Sequence, residues 1–317
     1  MAYRIAGAAA ALVLATSGVQ AAQITSQDMA RPEGTRHFLV AKGAVKSAAK
    51  LPLIILLHGH GGTAAQLLGQ KGSAAPLSVW LDIADREGLV LVAPDGLKGS
   101  DGKPGWNDCR SDADSNPSAD DTAFVAALID REVHEDNIDP ARVFVMGMSN
   151  GGMMTFRVAS ELGKRVAGFA AVSASMAASP ECAPPMTPVS ALIISGTKDP
   201  LVPYEGGPVG FSARTSRGSV IGIEQAVGVW RRLDGLPEAA VSIVALPPQG
   251  NTTATRTVWG GKSGGFQVEL LRIDGGGHVE PSKTQRIGAT YAAIVGRQNG
   301  DVEAAEEAWA FFKDKRR

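Results

Sequence analysis

Val143-Phe144-Val145-Met146-Gly147-Met148-Ser149-Asn150-Gly151-Gly152-Met153-Met154 decides the fold. An apolar, β-branched run climbs into G-x-S-x-G, and a helix-forming stretch follows at once. That order is the context of a nucleophile elbow, in which a sharp strand-to-helix turn lifts a serine hydroxyl above a sheet. The turn leaves no room for side chains at Gly147 and Gly151. The helix that follows aims its N-terminal N–H groups at the serine, where an oxyanion would form. The expected nucleophile is therefore Ser149.

Working outward, apolar strands alternate with helical stretches. Thr35 to Val40 and Leu51 to Leu57 read as strands, and the second feeds His58-Gly59-His60-Gly61-Gly62. Ser78 to Glu87 is an amphipathic helix closed by Gly88. Leu89 to Ala93 is a strand stopped by Pro94-Asp95-Gly96, and Asp121 caps a helix reaching about Glu135. Gly168 to Ser173 and Ala191 to Ser195 are strands, and Glu224 to Leu233 is a helix. Thr252 to Trp259 and Phe266 to Ile273 form a hairpin across a glycine-rich turn. Val302 to Lys315 is the last helix. The strands are continuous apolar runs, which calls for a mostly parallel sheet covered on both faces. This is an α/β fold, and no linker or repeat divides residues 22–317, so a single domain is expected.

Residues 1–21 stand apart. Arg4, an apolar run from Ile5 to Gly18, and Val19-Gln20-Ala21 have the order of a secretory signal peptide. The run is shorter than the ~20 apolar residues a membrane span needs, so the mature chain is expected to be secreted or periplasmic, with no membrane attachment. Such a compartment favours a disulfide between Cys109 and Cys182, the two cysteines of the chain. A formal net charge of −1 gives no basic field for nucleic acid.

Leu97 to Ala119 breaks the rhythm with Gly, Ser, Asp, Asn and Pro around Trp106 and Cys109. A long aperiodic stretch in a compact domain is usually a functional loop. It leaves the carboxyl end of a strand, the edge where open α/β sheets bind ligands. Trp106 is accordingly a candidate substrate-binding platform. Asp112 to Asn116 imitates the start of a calcium loop, but Pro117 stands where glycine is required, and no metal or cofactor is expected.

A serine needs a base, and the α/β-hydrolase order is Ser, acid, His. Only His278 lies beyond Ser149. Asp199, Asp234 and Asp274 lie between them as possible acids. Asp199 is favoured, because it follows a strand end in Gly196-Thr197-Lys198-Asp199-Pro200. Its task would be to hold the imidazole tautomer. The backbone N–H groups of Asn150 and His60 are the expected oxyanion donors. His58 more plausibly orders the glycine loop than takes part in catalysis. The same elbow also serves exopeptidases and non-catalytic proteins on this fold, and the complete Ser/Asp/His order argues against the latter.

These residues, together with Ala93-Pro94-Asp95-Gly96, Gly105-Trp106-Asn107, Asp120-Asp121, Gly275-Gly276-Gly277-His278 and Trp309-Ala310-Phe311-Phe312, resemble one known group. It comprises secreted esterases related to poly(3-hydroxybutyrate) depolymerases and to feruloyl and acetylxylan esterases of carbohydrate esterase family 1. The resemblance implies an α/β-hydrolase fold, a Ser149–Asp199–His278 triad and hydrolysis of carboxylic esters, with polyester or plant cell-wall oligomers as candidate substrates. Two departures stand out: Val279-Glu280-Pro281 replaces the aromatic that usually follows the histidine, and Ser195 replaces a histidine before the acid motif. No separate polymer-binding segment is recognised, which points to soluble esters or oligomers.

Overall fold

A computed structural model describes residues 21–45, 48–72, 74–211, 217–261 and 265–317. All but the last residue of the expected signal peptide, and the tip of the expected hairpin turn, lie outside the described residues.

The strands are β1 (Gln23–Arg31), β2 (Gly34–Lys42), β3 (Leu51–Leu57), β4 (Val90–Pro94), β5 (Leu97–Lys98), β6 (Pro104–Gly105) and β7 (Ile138–Met148). They continue with β8 (Gly168–Val172), β9 (Ser190–Gly196), β10 (Gly206–Pro208), β11 (Ser219–Ile221), β12 (Ser242–Ala245), β13 (Thr253–Gly260) and β14 (Gln267–Asp274). The helices are α1 (Ala64–Leu67), α2 (Val79–Glu87), α3 (Asp121–Glu135), α4 (Asn150–Glu161), α5 (Ile223–Leu233), α6 (Ala289–Val295) and α7 (Ala304–Phe312).

Ten strands form one sheet in the order β1-β2-β4-β3-β7-β8-β9-β14-β13-β12. The central run from β4 to β14 is parallel, and the flanking pairs are antiparallel. The unbroken apolar runs have a simple cause. Successive side chains in a strand point to opposite faces, and both faces are covered. Leu53, Ile55, Leu57, Val143 and Val145 join one core with Phe124, Met154, Phe156 and Trp230 from α3, α4 and α5. Ile54, Leu56, Phe144 and Met146 join the other with Trp80, Ile83, Trp309 and Phe312 from α2 and α7. Gly88 ends α2 in the left-handed region at φ 64°, where a Cβ would be strained.

Three expectations change. The cap of α3 is Asp120, whose side chain accepts the Ala123 N–H at 2.9 Å. Asp121 is instead buried, accepting from the Arg36 guanidinium at 2.7 Å and from the Asn107 N–H at 2.8 Å. Its carboxylate thus anchors the long loop to the sheet. The sheet is also wider than the apolar runs indicated. Ile24 and Met29 of β1 fall on opposite faces, and β12 is exposed along its whole length, so neither shows the pattern of a covered strand. Lastly, α7 is shorter at both ends than the expected helix.

Candidate active site

The elbow is built by close packing. A Cβ on Gly147 would lie 2.3 Å from the Gly151 carbonyl oxygen, and one on Gly151 would lie 2.3 Å from the Leu57 carbonyl oxygen. No side chain fits at either. Between them the chain turns from β7 into α4 in one residue, and Ser149 adopts φ 57° and ψ −125°. A non-glycine residue in so sparse a region is held there by its surroundings, and such strain concentrates at functional sites. The Ser149 N–H donates to the Val172 carbonyl at 2.9 Å, and Ser149 accepts from the Met153 N–H at 2.8 Å.

His278 and Asp199 arrive from two loops at the carboxyl ends of the adjacent strands β14 and β9. The loops are stitched together. Thr197 N–H donates to Ile273 and Lys198 N–H to Gly276, each at 2.9 Å, and Gly275 N–H reaches Thr197 Oγ1 at 3.0 Å. The His278 N–H donates to the Val295 carbonyl at 2.6 Å. The result is a chain of side chains: His278 Nε2 lies 2.9 Å from Ser149 Oγ, and His278 Nδ1 lies 2.7 Å from Asp199 Oδ2. Asp199 Oδ1 accepts the N–H groups of Leu201 and Val202, each at 2.8 Å. That leaves Oδ2 free for the imidazole. A carboxylate accepting at Nδ1 makes that nitrogen the donor and turns Nε2, as acceptor, toward the serine hydroxyl. All three side chains are buried. The two other candidate acids are elsewhere. Asp234 ends α5 and accepts the Val189 N–H, and Asp274 pairs with Arg272.

The glycine loop after β3 lies against the elbow, with Gly59 so close that a Cβ there would stand 3.3 Å from Ser149 Cβ. His58 orders this loop. Its Nε2 accepts the Gly96 N–H at 3.0 Å, so Nδ1 carries the proton and donates to the Gly59 carbonyl at 2.7 Å. Burial holds the His58 ring below its ordinary pKa, in the neutral form this pattern needs. His60 lies on the cleft wall, and its Nε2 pairs with Asp101 at 2.8 Å. Among the described residues, the backbone N–H groups of His60 and Asn150 have no protein acceptor.

Trp106 is not a substrate platform. It is fully buried, its indole N–H donates to the His58 carbonyl at 2.8 Å, and it does not line the cleft. The ring fills the space under the glycine loop, because an indole is satisfied where its area is buried and its one donor is paired. Cys109 and Cys182 form a disulfide with Cα atoms 5.4 Å apart. Asp112 and Asn116, the imitation of a calcium loop, serve the chain itself. Asp112 accepts the Ser219 N–H, and Asn116 donates to Asp108.

A cleft of about 480 Å³ opens above Ser149 and His278. Leu67, Leu77, Met148, Leu201, Val279 and Ile287 give it apolar walls, while Arg217, Glu280 and Tyr291 supply polar groups. Burial pushes the Glu280 carboxyl above the usual carboxylate range. The sequence motifs do not reveal Tyr291. It comes from α6, a short helix with one buried residue, and it puts an aromatic ring at a cleft whose expected aromatic after the histidine is missing. Asp108 was missed too, and its five donors, described below, converge only in the folded loop.

The chain can be set beside known proteins. The family model described as phospholipase/carboxylesterase matches residues 37–209, more than half the chain. NocK of Nocardia uniformis subsp. tsuyamanensis, named an esterase, is 28% identical over 273 residues, covering 82% of this chain and 74% of that protein. The bifunctional acetylxylan esterase/xylanase XynS20E of Neocallimastix patriciarum is 26% identical over 81% of this chain, which spans only 33% of that larger protein. Among solved structures, the acetyl xylan esterase of Aspergillus awamori superimposes with a TM-score of 0.56 at 15% identity, over 85% of this chain and 98% of that one; a likeness at that identity speaks for the fold. No helix among the described residues is long and apolar enough to cross a membrane. With this elbow on this sheet, the chain belongs to the phospholipase/carboxylesterase family of α/β-hydrolases and is an ester hydrolase.

Proposed function

We propose that the protein is a secreted serine esterase that works through an acyl-enzyme, with Ser149 as nucleophile, His278 as general base and acid, and Asp199 orienting the imidazole. The observation that carries this reading is the line of contacts from Ser149 Oγ through His278 to Asp199, at 2.9 and 2.7 Å. As Oγ attacks the ester carbonyl, Nε2 takes its proton, and the imidazolium is stabilised by the Asp199 carboxylate. The carbonyl oxygen becomes an oxyanion held by the Asn150 and His60 N–H groups. Collapse of the tetrahedral adduct expels the alcohol, which takes the proton back from Nε2. Water then repeats the cycle on the acyl-serine, returning the acid and free Ser149.

The substrate is an ester whose acyl or alcohol part is small and partly apolar. A volume of about 480 Å³ whose walls mix aliphatic and polar side chains suits a single aromatic or short aliphatic acyl group. Feruloyl and acetyl esters of plant cell-wall oligomers fit that description, and soluble 3-hydroxybutyrate oligomers are the competing class. Export is supported by the order of residues 1–21 and by the disulfide.

A fluorophosphonate probe followed by peptide mass spectrometry tests the nucleophile. Labelling at Ser149, abolished in Ser149→Ala, is the expected result, and labelling at another residue would overturn the assignment. Rates on methyl ferulate, acetylated xylo-oligomers, p-nitrophenyl esters and 3-hydroxybutyrate oligomers then rank the substrates. N-terminal sequencing of exported protein should begin at Ala22.

A further inference from the structure

We infer that Asp108 is a positioning residue that sets the oxyanion hole through the side chain of Asn150. The inference rests on the reading of Ser149 as nucleophile and of the Asn150 N–H as an oxyanion donor.

Asn150 is the first residue of α4, and its side chain is gripped on every side. Its Oδ1 accepts the Trp106 N–H at 2.7 Å, and its Nδ2 donates to the Trp106 carbonyl at 3.0 Å and to Asp108 Oδ2 at 2.6 Å. The amide thus pairs with the Trp106 backbone as a neighbouring strand would, and Asp108 fixes its remaining proton. The Asp108 carboxylate takes four further donors: the Arg110 N–H at 3.3 Å, Nε at 3.0 Å, Nη2 at 2.6 Å and the Asn116 amide at 2.9 Å. Asp108 and Arg110 side chains are 0% and 2% exposed. A buried ion pair of this kind is weak support for stability, since an apolar pair of equal volume commonly serves as well. Its convergent geometry is better explained by the group it holds in place.

The network also reaches outward. Cys109, between Asp108 and Arg110, is bridged to Cys182, and its carbonyl accepts the Glu181 N–H at 2.8 Å. Arg110 Nη1 donates to the carbonyl of Arg217, a residue of the cleft wall. The disulfide therefore ties down the loop segment that holds Asn150. Catalytically this matters because oxyanion donors act on charge that exists only in the transition state. A small rotation of the Asn150 peptide would leave substrate binding intact and slow the chemistry.

The test uses the full chain with Asp108→Asn, Asn150→Ala and the double variant. Asn150→Ala keeps the backbone N–H and removes only the side-chain grip. Fluorophosphonate titration counts competent sites, and kcat and KM are measured on p-nitrophenyl butyrate. Each single variant should lose at least about tenfold in kcat per titrated site, with KM within about twofold. The double variant should lose no more than the worse single one, because both cut the same link. A merely structural role would lower Tm and the titrated fraction while leaving kcat per site unchanged, and that outcome overturns the proposal. Multiplying losses in the double variant would overturn it as well. If Asp108→Asn does not fold, an unchanged kcat per site in Asn150→Ala is decisive against it. Absence of any label at Ser149 in the unmodified protein would instead remove the nucleophile reading itself, and this proposal with it.

Discussion

Replacing Asp199 by asparagine swaps one oxygen for an NH₂ group and little else. The structure determines which oxygen is lost. Asp199 Oδ1 accepts two backbone N–H groups, from Leu201 and Val202, while Oδ2 accepts from His278. An asparagine that keeps its oxygen on the backbone donors points NH₂ at His278 Nδ1. That nitrogen must then be an acceptor, so Nε2 carries the proton and no longer accepts one from Ser149. The opposite amide orientation preserves the productive tautomer but leaves two buried N–H groups facing another donor. At about 1–3 kcal/mol for each unsatisfied group, this orientation lies about 2–6 kcal/mol higher. The productive form is then populated about one part in 30 to about one in 2 × 10⁴, using RT of about 0.6 kcal/mol. We expect Asp199→Asn to lower kcat by that range with KM little changed, measured on p-nitrophenyl butyrate with fluorophosphonate-titrated enzyme. Loss of a triad aspartate by this substitution costs about 10⁴ in the serine protease template. Retention of more than a third of kcat would refute the tautomer argument and the choice of acid.

Gly147→Ala should prevent the elbow from closing, because its Cβ would stand 2.3 Å from a backbone oxygen; soluble yield and fluorophosphonate labelling should both fall, and full labelling would show that the turn can open. Trp106→Phe removes the donor to the His58 carbonyl from a buried site, so Tm should drop by several degrees for a cost of about 1–3 kcal/mol. KM should stay within about twofold, whereas a large KM rise with unchanged Tm would restore the platform reading. Asp234 has one carboxylate oxygen without a partner, and burial raises its pKa to about 7. The folded state therefore holds a proton that the unfolded chain releases above pH 4, and stability from this group declines as pH rises from about 4 to 7. Asp234→Asn, which keeps an acceptor for Val189, should raise Tm relative to the parent at pH 8 and lose that advantage at pH 4; an equal difference at both pH values would argue against titration of this carboxyl.

Much of the candidate site is legible in the sequence, because its parts are local or ordered along the chain. Gly147 marks a turn crowded by the carbonyl of Gly151, four positions on, whereas the crowding at Gly151 comes from Leu57 and His58 on a distant segment. His278 is singled out as the candidate base because no other histidine follows Ser149, and the fold brings it to 2.9 Å from Ser149 Oγ. Asp199 is the favoured candidate acid because it follows a strand end in a turn with two prolines, and the fold brings it to 2.7 Å from His278 Nδ1. The covered sheet was equally legible, since the unbroken apolar strands β3 and β7 need cores on both faces.

Tertiary structure decided the rest, and the reason is convergence from distant segments. Whether a tryptophan in an aperiodic loop faces substrate or core depends on what lies opposite. Trp106 lies under His58, a contact across 48 positions, which no local pattern encodes. The carboxylate of Asp121 had the sequence position of a helix cap, but Arg36, 85 residues away, drew it inside and left the cap to Asp120. Tyr291 reaches the cleft from a short helix with little periodicity. The sequence by itself pointed to a strand-to-helix turn at Ser149 and to a covered sheet, because a local motif and unbroken apolar runs carry them, and chain order singled out the candidate partners. Only the folded chain decided which side chains wall the cleft and which hold Asn150, because those contacts join loops that are far apart along the chain.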